Sequence, residues 1–133
     1  MRGGQAQEIS REEALEKLTA AQQKDFVLLV EKFEDKVSTI HNCHPCHCLY
    51  LKTLRRSDVE AGSVASSYQV ILDEDNCTGC SECENACPMF AISMENNDSW
   101  ELKPNVQENE CIGCGICVVG CPGEALTLTR HEY

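Results

Sequence analysis

One pattern, written twice, decides most of what this chain can fold into. Cys77-x-x-Cys80-x-x-Cys83-x-x-x-Cys87-Pro88 is followed by Cys111-x-x-Cys114-x-x-Cys117-x-x-x-Cys121-Pro122. A C-x₂-C-x₂-C-x₃-C-P run is one that holds a [4Fe–4S] cluster. A cysteine at every third residue lets one tight loop wrap three corners of a small object. A fourth thiol from that loop would have to reach round to the far side. Two alternatives fit poorly. A disulfide framework needs an oxidising compartment and belongs to small secreted chains. Structural zinc takes isolated C-x₂-C pairs, four ligands to an ion.

On these residues, Tyr68 to Thr129 resembles a bacterial-type ferredoxin with two [4Fe–4S] clusters, a span a little under half of the chain. The resemblance implies an α+β fold, a ferredoxin-like duplicated βαβ domain. It also implies that the fourth cysteine of each run serves the other cluster. One cluster then takes Cys77, Cys80, Cys83 and Cys121, and the other takes Cys111, Cys114, Cys117 and Cys87. Such an exchange ties the halves together, so metal binding supplies much of the folding free energy.

The repeat extends beyond the cysteines. At a period of 34 residues, Glu74, Gly79, Pro88 and Ala91 recur as Glu108, Gly113, Pro122 and Ala125. Tyr68 to Leu72 reads as the first strand, the Cys77 loop leads to a short helix ending near Pro88, and Ala91 to Met94 as a strand. Glu95 to Lys103 is a polar insertion carrying Trp100. A strand near Val106, the Cys111 loop, a helix to Gly120 and a strand over Leu126–Leu128 repeat the plan. The first loop is polar (Thr78, Ser81, Glu82, Glu84, Asn85), the second apolar (Ile112, Ile116, Val118, Val119). The Cys77 cluster is therefore expected to be the more exposed and the port for electrons.

Residues 1–56 read as a helical extension and 57–67 as a linker, leaving 68–133 for the two-cluster domain. After a lead of nine residues, Ser10-Arg11-Glu12-Glu13 has the form of a capping box. Thr19-Ala20-Ala21-Gln22 is taken as the start of a second helix, running to about Thr39. Phe26, Leu29, Val30, Phe33, Val37 and Ile40 fall at helical spacing. Leu49 to Arg56 reads as a short helix. Ser57 to Ser67 is small and polar.

Three cysteines and three of the four histidines lie in His41-Asn42-Cys43-His44-Pro45-Cys46-His47-Cys48. Four readings stand open there. A third iron–sulfur cluster on Cys43, Cys46 and Cys48 is one, because the stretch resembles the Cys-rich segment preceding a ferredoxin domain in some larger anaerobic iron–sulfur oxidoreductases. A mononuclear zinc or iron site that adds an imidazole of His41, His44 or His47 is another. Covalent haem on Cys43-His44-Pro45-Cys46-His47 satisfies C-x-x-C-H, but such attachment normally happens outside the cytoplasm. Free thiols, or a redox-active thiol pair, are the fourth. His131 reads as a solvated surface residue.

The formal net charge is −11, from 22 acidic and 11 basic residues. That disfavours nucleic acid and anionic membranes and favours a redox partner, a larger enzyme subunit, with a basic docking patch. The sequence shows no secretory leader and no apolar run long enough to span a bilayer, and the cysteine usage points to a reducing cytoplasm. The expected function is low-potential electron transfer as a dedicated subunit of an anaerobic oxidoreductase complex, not catalysis on its own. The alternative is a small redox enzyme or sensor whose Cys43/Cys46/Cys48 metal site binds substrate and is fed electrons by the ferredoxin domain.

Overall fold

The first helix starts where its capping residues place it. In a computed structural model, which describes residues 7–34, 36–56 and 66–130, α1 spans Arg11–Gln22. The Glu13 N–H donates to Ser10 Oγ at 3.1 Å, and the Ser10 N–H donates to Glu13 Oε2 at 2.8 Å. Two of the amides that a helix N-terminus leaves without partners are thereby satisfied. Ala14, Leu18 and Ala21 form its half-buried stripe. Thr19 lies inside this helix rather than at the start of another.

The second helix is not there. Its place is taken by an antiparallel hairpin, β1 over Val27–Phe33 and β2 over Lys36–Cys43. The apolar positions do recur at helical spacing, but they belong largely to β-branched and aromatic residues, which suit a pleated surface. Val30 faces Ile40 and Leu29 faces His41 across the ladder, pairs that a periodicity count along one strand does not see. Asp25 (φ 59°) turns the chain into β1, and Glu34 (φ 48°) lies in the reversal. Only the open end of the hairpin is covered: Val27 is buried, while Val30, Phe33, Val37 and Ile40 are exposed. The extension is therefore mixed rather than helical.

A tight return at His44–His47 leads to α2, Leu49–Arg56, whose first backbone bond runs from the Lys52 N–H to the Cys48 carbonyl at 3.0 Å. Most of the expected linker, 57–65, lies outside the described residues, as does His131.

The remainder runs strand–helix–strand twice: β3 (Tyr68–Leu72), α3 (Glu82–Ala86) and β4 (Ile92–Asn96), then β5 (Leu102–Val106), α4 (Ile116–Val119) and β6 (Leu126–Arg130). β3 pairs antiparallel with β6, and β4 with β5. The first strand of each half thus lies beside the last strand of the other. Backbone bonds repeat the relation: the Asp73 N–H donates to the Ala125 carbonyl and the Gln107 N–H to the Ala91 carbonyl, each at 2.8 Å. Left-handed residues also recur at the 34-residue period, Gly79 with Gly113, Ser81 with Gly115 and Phe90 with Glu124. The polar insertion is the β4–β5 reversal, where Asn97 Oδ1 accepts from the N–H groups of Ser99 and Glu101.

Two small cores hold these parts. Val70, Cys83, Ile92, Cys117 and Leu126 form one inside the repeat. The other joins Val27 and Leu51 of the extension to Met89, Ala91, Ile112 and Ile116 of the repeat. Leu51 is 0% exposed, a burial that stabilises the docking by roughly 1.5–3 kcal/mol. Among the described residues no helix is long and apolar enough to cross a membrane.

Candidate metal centres

The eight repeated cysteines are sorted by the fold into two cavities. Cys77, Cys80, Cys83 and Cys121 line one, together with Leu72, Met94 and Leu126. Cys111, Cys114, Cys117 and Cys87 line the other, together with Val70, Met89 and Ile112. Each cavity takes three thiols from one run and the fourth from the other.

The local backbone explains this sorting. A cysteine at every third residue needs left-handed turns between ligands, and Gly79 and Ser81 supply them in the first loop, Gly113 and Gly115 in the second. A Cβ on Gly79 would stand 2.6 Å from the Leu102 carbonyl oxygen, and one on Gly113 would press into the Tyr68 carbonyl oxygen. Each loop therefore rests on the opening strand of the other half, β5 or β3. The helices α3 and α4 then carry Cys83 and Cys117 inward, where both are buried. The fourth thiols are fixed by matching bonds. The Ala91 N–H donates to Cys87 Sγ and the Ala125 N–H to Cys121 Sγ, both at 3.3 Å. Amide donors of this kind stabilise negative charge on sulfur and tune an iron–sulfur centre.

Three of these thiols are raised by their surroundings. Burial, reinforced by the neighbouring sulfurs of Cys87 and Cys111, pushes Cys114 up to about 11. Burial, followed by its neighbours Cys114, Cys87, Cys111 and Cys83, pushes Cys117 up to about 12. Burial also raises Cys83. Four thiolates in a dry pocket repel one another, so the arrangement suits a cationic group that takes all four. Among the described residues, no three His, Cys, Asp or Glu side chains converge tightly enough to hold one metal ion.

The cavities differ in cover. Cys80 is exposed, whereas the second cavity has the extension against it. Leu51 packs on Met89, Ala91, Ile112 and Ile116. Arg55 Nε donates to the Pro88 carbonyl, and its guanidinium carbon lies 4.5 Å from the centre of the Phe90 ring. Lys103 has the matching place at the first loop, donating to the carbonyls of Glu74 (2.8 Å) and Cys77 (2.9 Å). Neither cation was singled out from the sequence, since both act on carbonyls far away along the chain.

The His41–Cys48 stretch is only partly gathered. The Cys43 and Cys48 thiols lie close enough to perturb each other. Burial, then Cys48, pushes Cys43 up to about 11. Burial also pulls Cys48 upward, but the Leu51 N–H, the Cys43 thiol and the Tyr50 N–H outweigh it and leave the thiol lowered. Cys46 is exposed, and its N–H donates to His44 Nδ1 at 3.2 Å. His44 stacks edge-on to Phe26, with ring centres 5.3 Å apart, and lies 5.9 Å from the His47 ring. His41 Nε2 is 3.2 Å from Glu31 Oε1 on the neighbouring strand. Two of the six candidate ligands, Cys43 and Cys48, are thus brought together.

A mixed α/β domain with two four-cysteine cavities fits an iron–sulfur domain of ferredoxin type. Residues 76–126 match the family described as a 4Fe-4S dicluster domain. The domain accordingly binds [4Fe–4S] clusters. A search of curated proteins found no match to the chain.

Proposed function

We propose that residues 68–133 are a two-cluster ferredoxin of the duplicated βαβ type. Its ligand sets are Cys77, Cys80, Cys83 with Cys121, and Cys111, Cys114, Cys117 with Cys87. The observation that carries this is the crossed sharing of thiols between the two cavities. When bound, [4Fe–4S] clusters supply one-electron transfer at low potential. The protein contributes ligation, the two amide donors to Cys87 and Cys121, and unequal cover. The Cys80 side is the open one, and the Leu51–Arg55 side is closed.

The chain acts as a dedicated electron-transfer subunit of an anaerobic oxidoreductase complex in the cytoplasm. Two features support this reading: a docked extension that a freely diffusing carrier does not need, and an acidic surface suited to a partner with a basic patch. The test is elemental analysis of the anaerobically purified full chain, followed by a redox titration. About eight irons and eight sulfides per chain, titrating as one-electron centres, are expected. Zinc in place of iron, or far less sulfide than iron in fully loaded protein, would overturn the assignment.

A further inference from the structure

Cys43 and Cys48 are a thiol pair for which the cluster-binding role has no use. Their positions are set by two different elements. Cys43 is the last residue of β2, held opposite Val27 by the ladder. Cys48 immediately precedes α2, and its sulfur receives the N–H groups of Leu51 and Tyr50. The return between them is closed by the His47 and Cys48 N–H groups, which donate to the His44 carbonyl at 3.0 and 2.9 Å. A pleated strand and a helix start therefore hold the two thiols near each other across a short closed loop.

Their surroundings are equally specific. Both thiols are half-buried and pack on the core of Val27, Leu51, Met89, Ala91, Ile112 and Ile116. Cys87, Cys111 and Cys114 of the second cavity pack on that same core. The pair thus stands beside the second cavity, on the side that the extension covers. Cys46, the third cysteine of the stretch, is exposed and makes no thiol contact of this kind.

We propose that Cys43 and Cys48 are a redox-active dithiol that closes reversibly to an intrachain disulfide beside the second cavity and reduces an external disulfide. The reductant in this proposal rests on the ferredoxin reading above; the exchange does not. The Cys48 sulfur attacks the external disulfide and expels one of its sulfurs as thiolate. The Cys43 sulfur then attacks the mixed disulfide and releases the second. The external disulfide gains two electrons and two protons, and Cys43–Cys48 becomes the disulfide. Restoring the dithiol breaks one S–S bond and takes two electrons and two protons. The reductant is of the low-potential one-electron class, acting twice, and a chain with two such centres holds the required number.

The experiment uses the full chain purified anaerobically, with iron and sulfide counted first. The probe is an aromatic disulfide that releases a coloured thiolate. Wild-type protein is expected to release three equivalents, two from the pair and one from exposed Cys46, and to yield a peptide in which Cys43 and Cys48 resist alkylation as a linked pair. The Cys43→Ser variant is expected to release two equivalents and to keep a mixed disulfide on Cys48. The Cys46→Ser variant should release two equivalents and yield the same linked pair as wild type. Photoreduction with a one-electron donor should then return two alkylatable thiols in wild type. Peptide mapping of the wild type alone decides the linkage if the variants fold poorly. The proposal is overturned by a linkage that includes Cys46, by separate mixed disulfides on Cys43 and Cys48, or by protection of both through a bound metal that Cys48→Ser releases. A low iron count sinks the ferredoxin reading instead, and the exchange arm is read independently of it.

Discussion

Arg55 spans from the extension to Phe90, its guanidinium carbon 4.5 Å from the ring centre, while its Nε donates to the carbonyl of Pro88. The contact fastens α2 to the turn that follows Cys87. Replacing Arg55 with Met removes a cation–π contact and a charge-assisted hydrogen bond and is expected to cost about 1–2 kcal/mol. Thermal unfolding should show the loss, and a chelator should strip iron from the second cavity faster than from the first. Lys at this position restores charge without the planar fork, so only partial rescue is expected. Equal acceleration at both cavities would mean that the contact does not act locally.

Lys103 provides the corresponding test at the other loop. Its side chain is only 16% exposed and donates to the Glu74 and Cys77 carbonyls. Lys103→Met should destabilise the protein by about 2 kcal/mol and speed iron loss from the first cavity while sparing the second. Peptide mapping after brief alkylation checks this. Cys77 and Cys80 should label before Cys111 and Cys114.

Gly113→Ala should be among the most damaging single changes. The backbone is left-handed there (φ 61°), and the added Cβ would press into the Tyr68 carbonyl and the Ser66 hydroxyl. Neither the strand nor the cysteine loop can give way without moving ligands. A loss of more than about 3 kcal/mol and of the second cavity's iron is expected. Gly120→Ala is the control. Its backbone is right-handed (φ −86°) and its new Cβ meets only the Ile116 carbonyl at 3.6 Å, so the change should stay within about 1 kcal/mol.

Cys121→Ser should empty the cavity of the other run. With the crossed arrangement, Cys77, Cys80 and Cys83 become alkylatable, while Cys111, Cys114 and Cys117 remain protected by their own centre. Cys87→Ser should give the opposite map. If each variant instead exposed the cysteines of its own run, the ligand sets proposed above would be wrong.

Loading of the second cavity should be limited by deprotonation. Cys114 and Cys117, at about 11 and about 12, are protonated at neutral pH, and cluster ligation needs thiolates. The sign follows: while pH stays well below these values, each added unit raises the thiolate fraction about tenfold. Reconstitution with iron and sulfide should release protons and should speed up at the second cavity as pH rises from 7 toward 9. A rate flat across that interval would show that deprotonation is not limiting.

Much of the repeat was legible because its constraint is local and discrete. The spacing of the eight cysteines, the glycines between them and the 34-residue period place loops, helices and strands with little dependence on packing. The Ser10–Glu13 box was legible for the same reason. The stretch from Phe26 to Ile40 was not. Its apolar positions satisfy a helical period, yet what decides the outcome is pairing across the turn, Val30 with Ile40 and Leu29 with His41. Arg55 and Lys103 were equally hidden, since each serves a carbonyl more than two dozen residues distant. Within the His41–Cys48 stretch, the sequence offers six candidate side chains. The strand, the return and the helix start select the pair Cys43 and Cys48.

The crossed thiols also bear on how the protein matures. A ribosome delivers Cys77, Cys80 and Cys83 well before Cys121, and it delivers Cys87 before the loop that Cys87 completes. At about 5–20 residues per second, a nascent chain spends seconds with three ligands of the first proposed set and no fourth, and with Cys87 alone of the second. On the proposed ligand sets, neither centre is then complete until the second half has been made and folded against the first, and the two are expected to mature together rather than in the order in which their loops are synthesised.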